Sequence, residues 1–452
     1  MSSASSVSSP TDSCLAQDQQ PYSGNLLHPE IFPGIEVPPA IVPGLKVPTI
    51  LGNGALIKFA SGGGDVNKVF QFFSDQVRQF PQDASLKLDL ALLHLIRQQR
   101  EEAYCLQAQA LEWQQLFRVV GTKGAEVPTR RRVLALVAPG DFMNNAQLEF
   151  LLDGSDTGLD VLYLVSGKPL PAALPEHDVA FCAVNESDEN LPILQRLSQI
   201  LPRWPRPVLN IPDKIARLTR DGIASLFQSI PTICAPRVRR VAMTDLRGLA
   251  LGEVSLDALL PGVSFPVLAR PVGTHCGKHL DKIDSREELA DYLKGLEAQE
   301  DDFFLAAFID YRGADGLYRK YRVVLIDGVP FLCHMAVSDQ WKIHYVNVGM
   351  AESAAKRAEE AHAMETFDYD FARRHSAAFA NLCERIGLDY FGIDCAELPD
   401  GRLLLFEAET AMVIHDMDSP TLYPYKKGQM ARVFKAFHDF TDRASGRPAG
   451  IA

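Results

Sequence analysis

Two carboxylates, Asp394 and Glu407, carry the strongest chemical signal in the chain. Each stands in an otherwise apolar run, with Phe391 and Ile393 beside the first and Leu405 and Phe406 beside the second, and Pro399-Asp400-Gly401 marks a tight turn between the runs. The pattern predicts a β-hairpin with one acid on each strand. A carboxylate among apolar neighbours is costly unless it is paired or metal-bound. Hard oxygen ligands of this kind suit Mg²⁺, which is commonly held by one or two carboxylates while substrate phosphates complete its shell. The hairpin therefore reads as a place for a Mg-nucleotide. Solvated edge charges are the competing reading, and they describe Asp400 and Arg402 better because those residues flank the turn itself.

The elements that must position the pair belong to a chain of 452 residues, long enough for two to four compact units. Its formal charge of -12 argues against nucleic-acid binding. The sequence contains no apolar run of about eighteen residues, so no membrane span is expected, and a soluble, cytoplasmic protein is. Eight cysteines are scattered without CxxC spacing and read as reduced core thiols.

Residues 1–60 are Ser-rich and then Pro-rich, and we expect a largely irregular leader. Residues 61–125 change to a helical period that predicts three helices up to Val120, and part of this stretch resembles a tetratricopeptide helix pair. A plain helical hairpin packed on the body carries equal weight, with peptide docking as the alternative. Within 131–212, apolar runs at 133–137, 161–165, 179–183 and 207–210 alternate with helical stretches, which predicts a small parallel sheet. The first run leads into 138–145, which lacks the G-x-G-x-x-G spacing of a dinucleotide fingerprint. Asp141, Asn144, Asn145 and Asn185 fall at strand ends, where open α/β sheets bind small molecules, although capping and turn roles are the favoured reading of each.

From residue 213 onward the elements follow a recognisable order. A helix opening at 210–221 is followed by 230–236, a strand and glycine-containing loop at 265–278, a strand at 303–310, a basic strand at 318–331, and the carboxylate hairpin. This succession resembles the ATP-grasp superfamily, and within it the carboxylate-amine ligases related to glutathione synthetase and the ribosomal-protein glutamate ligases. The resemblance spans about residues 132–440. It implies an α/β (α+β) fold: the helical unit, a small parallel-sheet pre-ATP-grasp domain at 131–212, and a two-lobed ATP-grasp domain at 213–445.

By the same resemblance, ATP with Mg²⁺, or Mn²⁺ in its place, is the cofactor, and a carboxylate activated as acyl phosphate is attacked by an amine. Asp394 and Glu407 take the metal roles; family members usually carry Asn two residues later, where this chain has Glu409, a further metal candidate. Arg270 stands where the family commonly places a phosphate-binding Lys, and Gly273, Thr274, Gly277 and Lys278 form the phosphate loop. Phe308, Ile309 and Asp310 lie at the adenine and ribose end, with Asp315 as an alternative for the ribose. Lys320 adds phosphate charge, Arg322 is the preferred catalytic cation, and Lys342 with His344 falls where related ligases shape the acceptor site. His275, His279, His334 and His415 read as packed or hydrogen-bonding side chains. The implied partners are ATP, a carboxylate and an amine, with a peptide acceptor and a homo-oligomer left open. A catalytically silent ATP-grasp scaffold and a small-molecule kinase remain the alternatives.

Overall fold

The computed structural model describes residues 36–120, 129–274, 277–296 and 301–446, so His275 and Cys276 lie outside the described residues. Three helices follow the helical period: Val66–Gln79, Ala84–Ile96 and Arg100–Trp113. Asp65 and Asp83 cap the first two by accepting the N–H groups of Lys68 and Leu86. The period reading overshoots at the end, because Leu116–Val119 is a strand. Leu116 and Phe117 are both buried, and pairing on either side overrides the helical spacing.

Residues 36–60 also differ from the irregular leader expected of them. Ala40–Ile41 pairs with Ala173–Leu174, Thr49–Ile50 pairs with the Leu116–Val119 strand, and Gly52–Ser61 is a helix. These ladders are two residues long with partners far along the chain, so no local periodicity announces them.

Three sheets organise the remainder. The first has six strands in the order Thr49–Ile50, Leu116–Val119, Thr157–Tyr163, Arg131–Val137, Val179–Cys182 and Val208–Leu209, parallel throughout except between Leu116–Val119 and Thr157–Tyr163. The second is antiparallel, in the order Val238–Ala242, Asp302–Ala307, Val267–Pro271 and Asp281–Ile283, with helices Met243–Leu251 and Arg286–Lys294 packed on it. The third runs Val329–Ser338, Tyr318–Ile326, Tyr390–Glu397, Leu403–Glu409 and Ile233–Cys234. The molecule is thus a mixed α/β protein.

Burial divides it unequally. Leu134 and Leu136 of the first sheet share a core with Val323, Phe391, Ile393 and Leu403 of the third. The four-stranded sheet instead packs Val241, Leu246, Val267, Leu289, Phe303 and Leu305 into a core of its own. This small lobe is therefore joined to the body by polar contacts and chain crossings more than by shared apolar surface. Among the described residues no helix is long and apolar enough to cross a membrane. Cys182, Cys333 and Cys395 are buried free thiols, whereas Cys105 is exposed, contrary to a uniform core reading.

Candidate active site

A cavity of about 750 Å³ lies between the small lobe and the five-stranded sheet. The predicted hairpin forms its floor. Tyr390–Glu397 and Leu403–Glu409 are antiparallel, with Asp394 opposite Glu407 and Gly392 opposite Glu409. Gly401 closes the turn at φ +83°, a left-handed conformation that glycine adopts without a Cβ penalty. On the other side of the central strand, Asp394 faces Arg322, which in turn faces His334. Residues two apart on a strand share a face, so Lys320 joins Arg322 and Glu409 joins Glu407 above one patch of sheet.

Asp394 is fully buried and chelated by cations. Arg322 Nε donates to Oδ1 at 2.8 Å and Nη2 to Oδ2 at 3.0 Å, while Lys320 Nζ lies 2.6 Å from Oδ2. Burial opposes the charged carboxylate, but the Arg322 and Lys320 charges outweigh it and hold Asp394 well below the usual carboxylate range. Glu407 Oε2 accepts from Arg220 Nη2 at 2.6 Å; burial again opposes the charge, and Arg220 turns the balance to a lowered value. Glu409 forms no hydrogen bond or ion pair among the described residues, and burial and the neighbouring Glu407 charge push it up to about 7. Burial and the Glu409 charge likewise push Glu186, from the loop after Val179–Cys182, well above its ordinary range. His334 is moved well below the usual imidazole range by burial and by Arg322, and His344 is lowered by burial and Lys320, so neither ring adds a cation at neutral pH.

The opposite wall comes from the small lobe and the crossing at 307–309. Leu268, Phe304, Ala306, Phe308 and Ile309 line it together with Trp341, Leu404 and Phe406, giving an apolar slot beside the charged floor. Arg270 and Lys278 line the cavity as well. Arg270 is nearly buried and braces the glycine loop, its guanidinium donating to the Thr274 hydroxyl and carbonyl, while Thr274 Oγ1 donates to the Pro271 carbonyl at 2.8 Å. Gly273 and Gly277 take φ values of +75° and +70° in that loop. Lys342 lines the cavity with Nζ donating to the Leu280 carbonyl at 2.7 Å.

The cavity thus gathers Arg270, Gly277, Lys278, Phe308, Ile309, Lys320, Arg322, Lys342, Asp394, Glu407 and Glu409 from the sequence candidates. Asp310 does not line it. That carboxylate pairs with Arg312 in a separate open groove beyond Phe308 and Trp341, because the chain turns outward there. Asp315 pairs with Arg319. The strand-end polar groups serve the backbone: Asn145 brackets Ala138, Asn144 donates to the Pro139 carbonyl, and Asp141 accepts from the Met143 N–H. Sequence reasoning missed Arg220, Glu186, Trp341 and Phe406. Arg220 begins a helix, Arg220–Phe227, capped by Thr219, and only the fold brings it to Glu407.

Among the described residues no group of three His, Cys, Asp or Glu side chains converges as a metal cluster. The donor type nonetheless suits a hard divalent ion. Glu409 and the second oxygen of Glu407 remain available, while both oxygens of Asp394 are engaged by cations. All-oxygen donors accept Mg²⁺ and Mn²⁺ alike.

No family model matches the chain, and no curated protein does. Solved structures with a similar arrangement include the D-alanine--D-alanine ligase from Bacillus anthracis complexed with ATP, 12% identical, covering 70% of this chain and 99% of that one at a TM-score of 0.42. A RimK domain ATP-grasp protein from Sphaerobacter thermophilus is 16% identical over 68% and 98% of the two chains, at 0.38. The D-alanine-D-alanine ligase from Coxiella burnetii is 10% identical over 70% and 97%, at 0.43.

Proposed function

We propose that this chain is an ATP- and Mg²⁺-dependent ligase that activates a carboxylate as an acyl phosphate for attack by an amine, releasing ADP and phosphate. The observation that carries the reading is one cavity in which an apolar slot adjoins a row of cations and a row of carboxylates. A flat apolar slot suits a nucleobase, and Arg270 and Lys278 beside it suit phosphate oxygens. Lys320 and Arg322 stand where negative charge gathers as a phosphoryl group passes to a carboxylate. In such a transfer, positioning and charge neutralisation supply most of the rate.

Glu407 and Glu409 would hold Mg²⁺, with Asp394 joining them only on release from Lys320 or Arg322. The ion's contribution there is Lewis-acid neutralisation of phosphate oxygens. Until then the two cations keep Asp394 ionised, and Arg220 keeps Glu407 ionised.

One observation favours the silent-scaffold reading. Asp394 and Glu407 are already compensated within the chain, as they would be in a site that no longer takes metal. Measuring ADP, AMP and phosphate release with pools of carboxylates, amino acids and peptides separates the two. ADP and phosphate released only when a carboxylate and an amine are both present supports the ligase. ADP without free phosphate, formed on a hydroxyl acceptor, would make it a kinase; no ATP binding or hydrolysis under any condition would make it a scaffold.

A further inference from the structure

The small lobe has its own core, yet among the described residues polar tethers on two sides hold it over the cavity. On one side Lys342 reaches the Leu280 carbonyl. On the other, Arg240 of the Val238–Ala242 strand meets Asp188, which belongs to the domain carrying the six-stranded sheet. In the second contact the guanidinium bridges two carboxylates: within the lobe Arg240 Nε donates to Asp302 Oδ2 at 2.9 Å and Nη2 lies 2.9 Å from the same oxygen, while both Nη groups face Asp188. Nη1 then reaches Asp188 Oδ1 at 3.1 Å and Nη2 reaches Oδ2 at 2.6 Å, the paired geometry that gives an arginine-carboxylate contact its specificity.

The other end of the same loop is tied to the hairpin. Buried Thr410, next to Glu409, donates from its hydroxyl to buried Asn185 Oδ1 at 3.2 Å. Asn190, two residues past Asp188, folds back to stiffen the loop, its side-chain amide donating to the Asn185 carbonyl at 3.0 Å and its backbone N–H to Ser187 Oγ at 3.0 Å. One short loop therefore grips both walls of the cavity.

We propose that the 185–190 loop is a clasp, with Asp188 as a positioning residue that acts through Arg240 to hold the small lobe down over the cavity. The Asp188 side chain is 56% exposed and that of Arg240 39% exposed. A pair this open is weak and screened by salt, which suits a contact that forms and breaks with each opening. Lobe closure then depends on residues 131–212, of which Met143 alone lines the cavity among the described residues.

One half of the test rests on the nucleotide reading and the other does not. Asp188→Asn, Arg240→Gln and the double variant are compared with wild type by stopped-flow release of a fluorescent N-methylanthraniloyl ATP, and by small-angle X-ray scattering of ligand-free protein. Each single variant should release nucleotide about two- to five-fold faster, the double variant no faster than either single, and the difference should vanish in about 1 M NaCl. The ligand-free variants should show a larger radius of gyration in low salt, with melting temperatures unchanged because both side chains are exposed. Release rates and radii equal to wild type, or effects that add in the double variant, overturn the clasp. If wild type binds no nucleotide, the ligase reading fails, and the radius of gyration alone decides the clasp.

Discussion

Arg322 and Asp394 stand opposite each other on neighbouring antiparallel strands and are joined by two parallel hydrogen bonds, 2.8 and 3.0 Å long. The Lys320 ammonium closes the remaining side of the carboxylate at 2.6 Å. Asp394→Asn removes the charge that both cations face. Breaking a buried ion pair costs roughly 3 kcal/mol, so calorimetry should show a clear fall in melting temperature with the fold retained. ADP release should be lost; full activity in this variant would sink the site assignment. Because Asp394 is held below its ordinary range, its contribution to stability is present above about pH 4 and disappears only in stronger acid.

Glu409 lines the cavity beside Glu407, and burial and the Glu407 charge push it up to about 7. Below that pH it is protonated and offers Mg²⁺ less charge. The Mg²⁺ concentration giving half-maximal ADP formation should therefore rise as pH falls from 8 to 6 in wild type. In Glu409→Asn this dependence should flatten.

Arg270 holds Thr274 with a planar fork, a geometry Lys cannot reproduce. Arg270→Lys keeps the charge and loses the brace, so the KM for ATP should rise on the order of ten-fold while kcat changes less. Lys278→Ala, at an exposed position with no hydrogen bond or ion pair among the described residues, should also raise KM and leave melting temperature unchanged.

Far from the cavity, the helix Gly52–Ser61 starts against two acids. Asp89 accepts the Leu51 and Gly52 N–H groups, and Glu149 accepts that of Gly54. A Cβ at Gly52 or Gly54 would lie within 3 Å of Glu149, so the approach requires glycine at both positions. Burial pushes Glu149 up to about 7 and Asp89 to about 6. A raised value means that the stability this acid contributes is full below about pH 4 and is lost as pH rises through 7. Glu149→Gln should be more stable than wild type at pH 8, on the order of 1 kcal/mol, with the advantage shrinking towards pH 5. Melting curves of both proteins across that range measure it.

Much of the frame was legible locally. The hairpin carried two near-continuous apolar runs, a Pro-Asp-Gly turn and two acids that did not fit an apolar strand, and the helices from Val66 to Trp113 carried their period, the first two with aspartate caps. Leu116–Val119 was not legible, because two adjacent buried residues fit a helix face as well as a strand paired on both sides. The strand 157–163 begins earlier than its apolar run, because Asp160 is accommodated in the sheet by Arg118 and Arg132.

The sequence by itself determined which groups are acids and cations, and that Asp394 and Glu407 stand one on each strand of a hairpin, since apolar runs and turn chemistry act over a few residues; the register shift after Asp394 that sets it opposite Glu407 came only with the fold. Tertiary structure alone decided which charge meets which. Arg220 is 187 residues from Glu407, and Asp188 reaches Arg240 across a boundary between separate cores. Coulombic pairing depends on distance in space and on burial, and neither is encoded in local spacing.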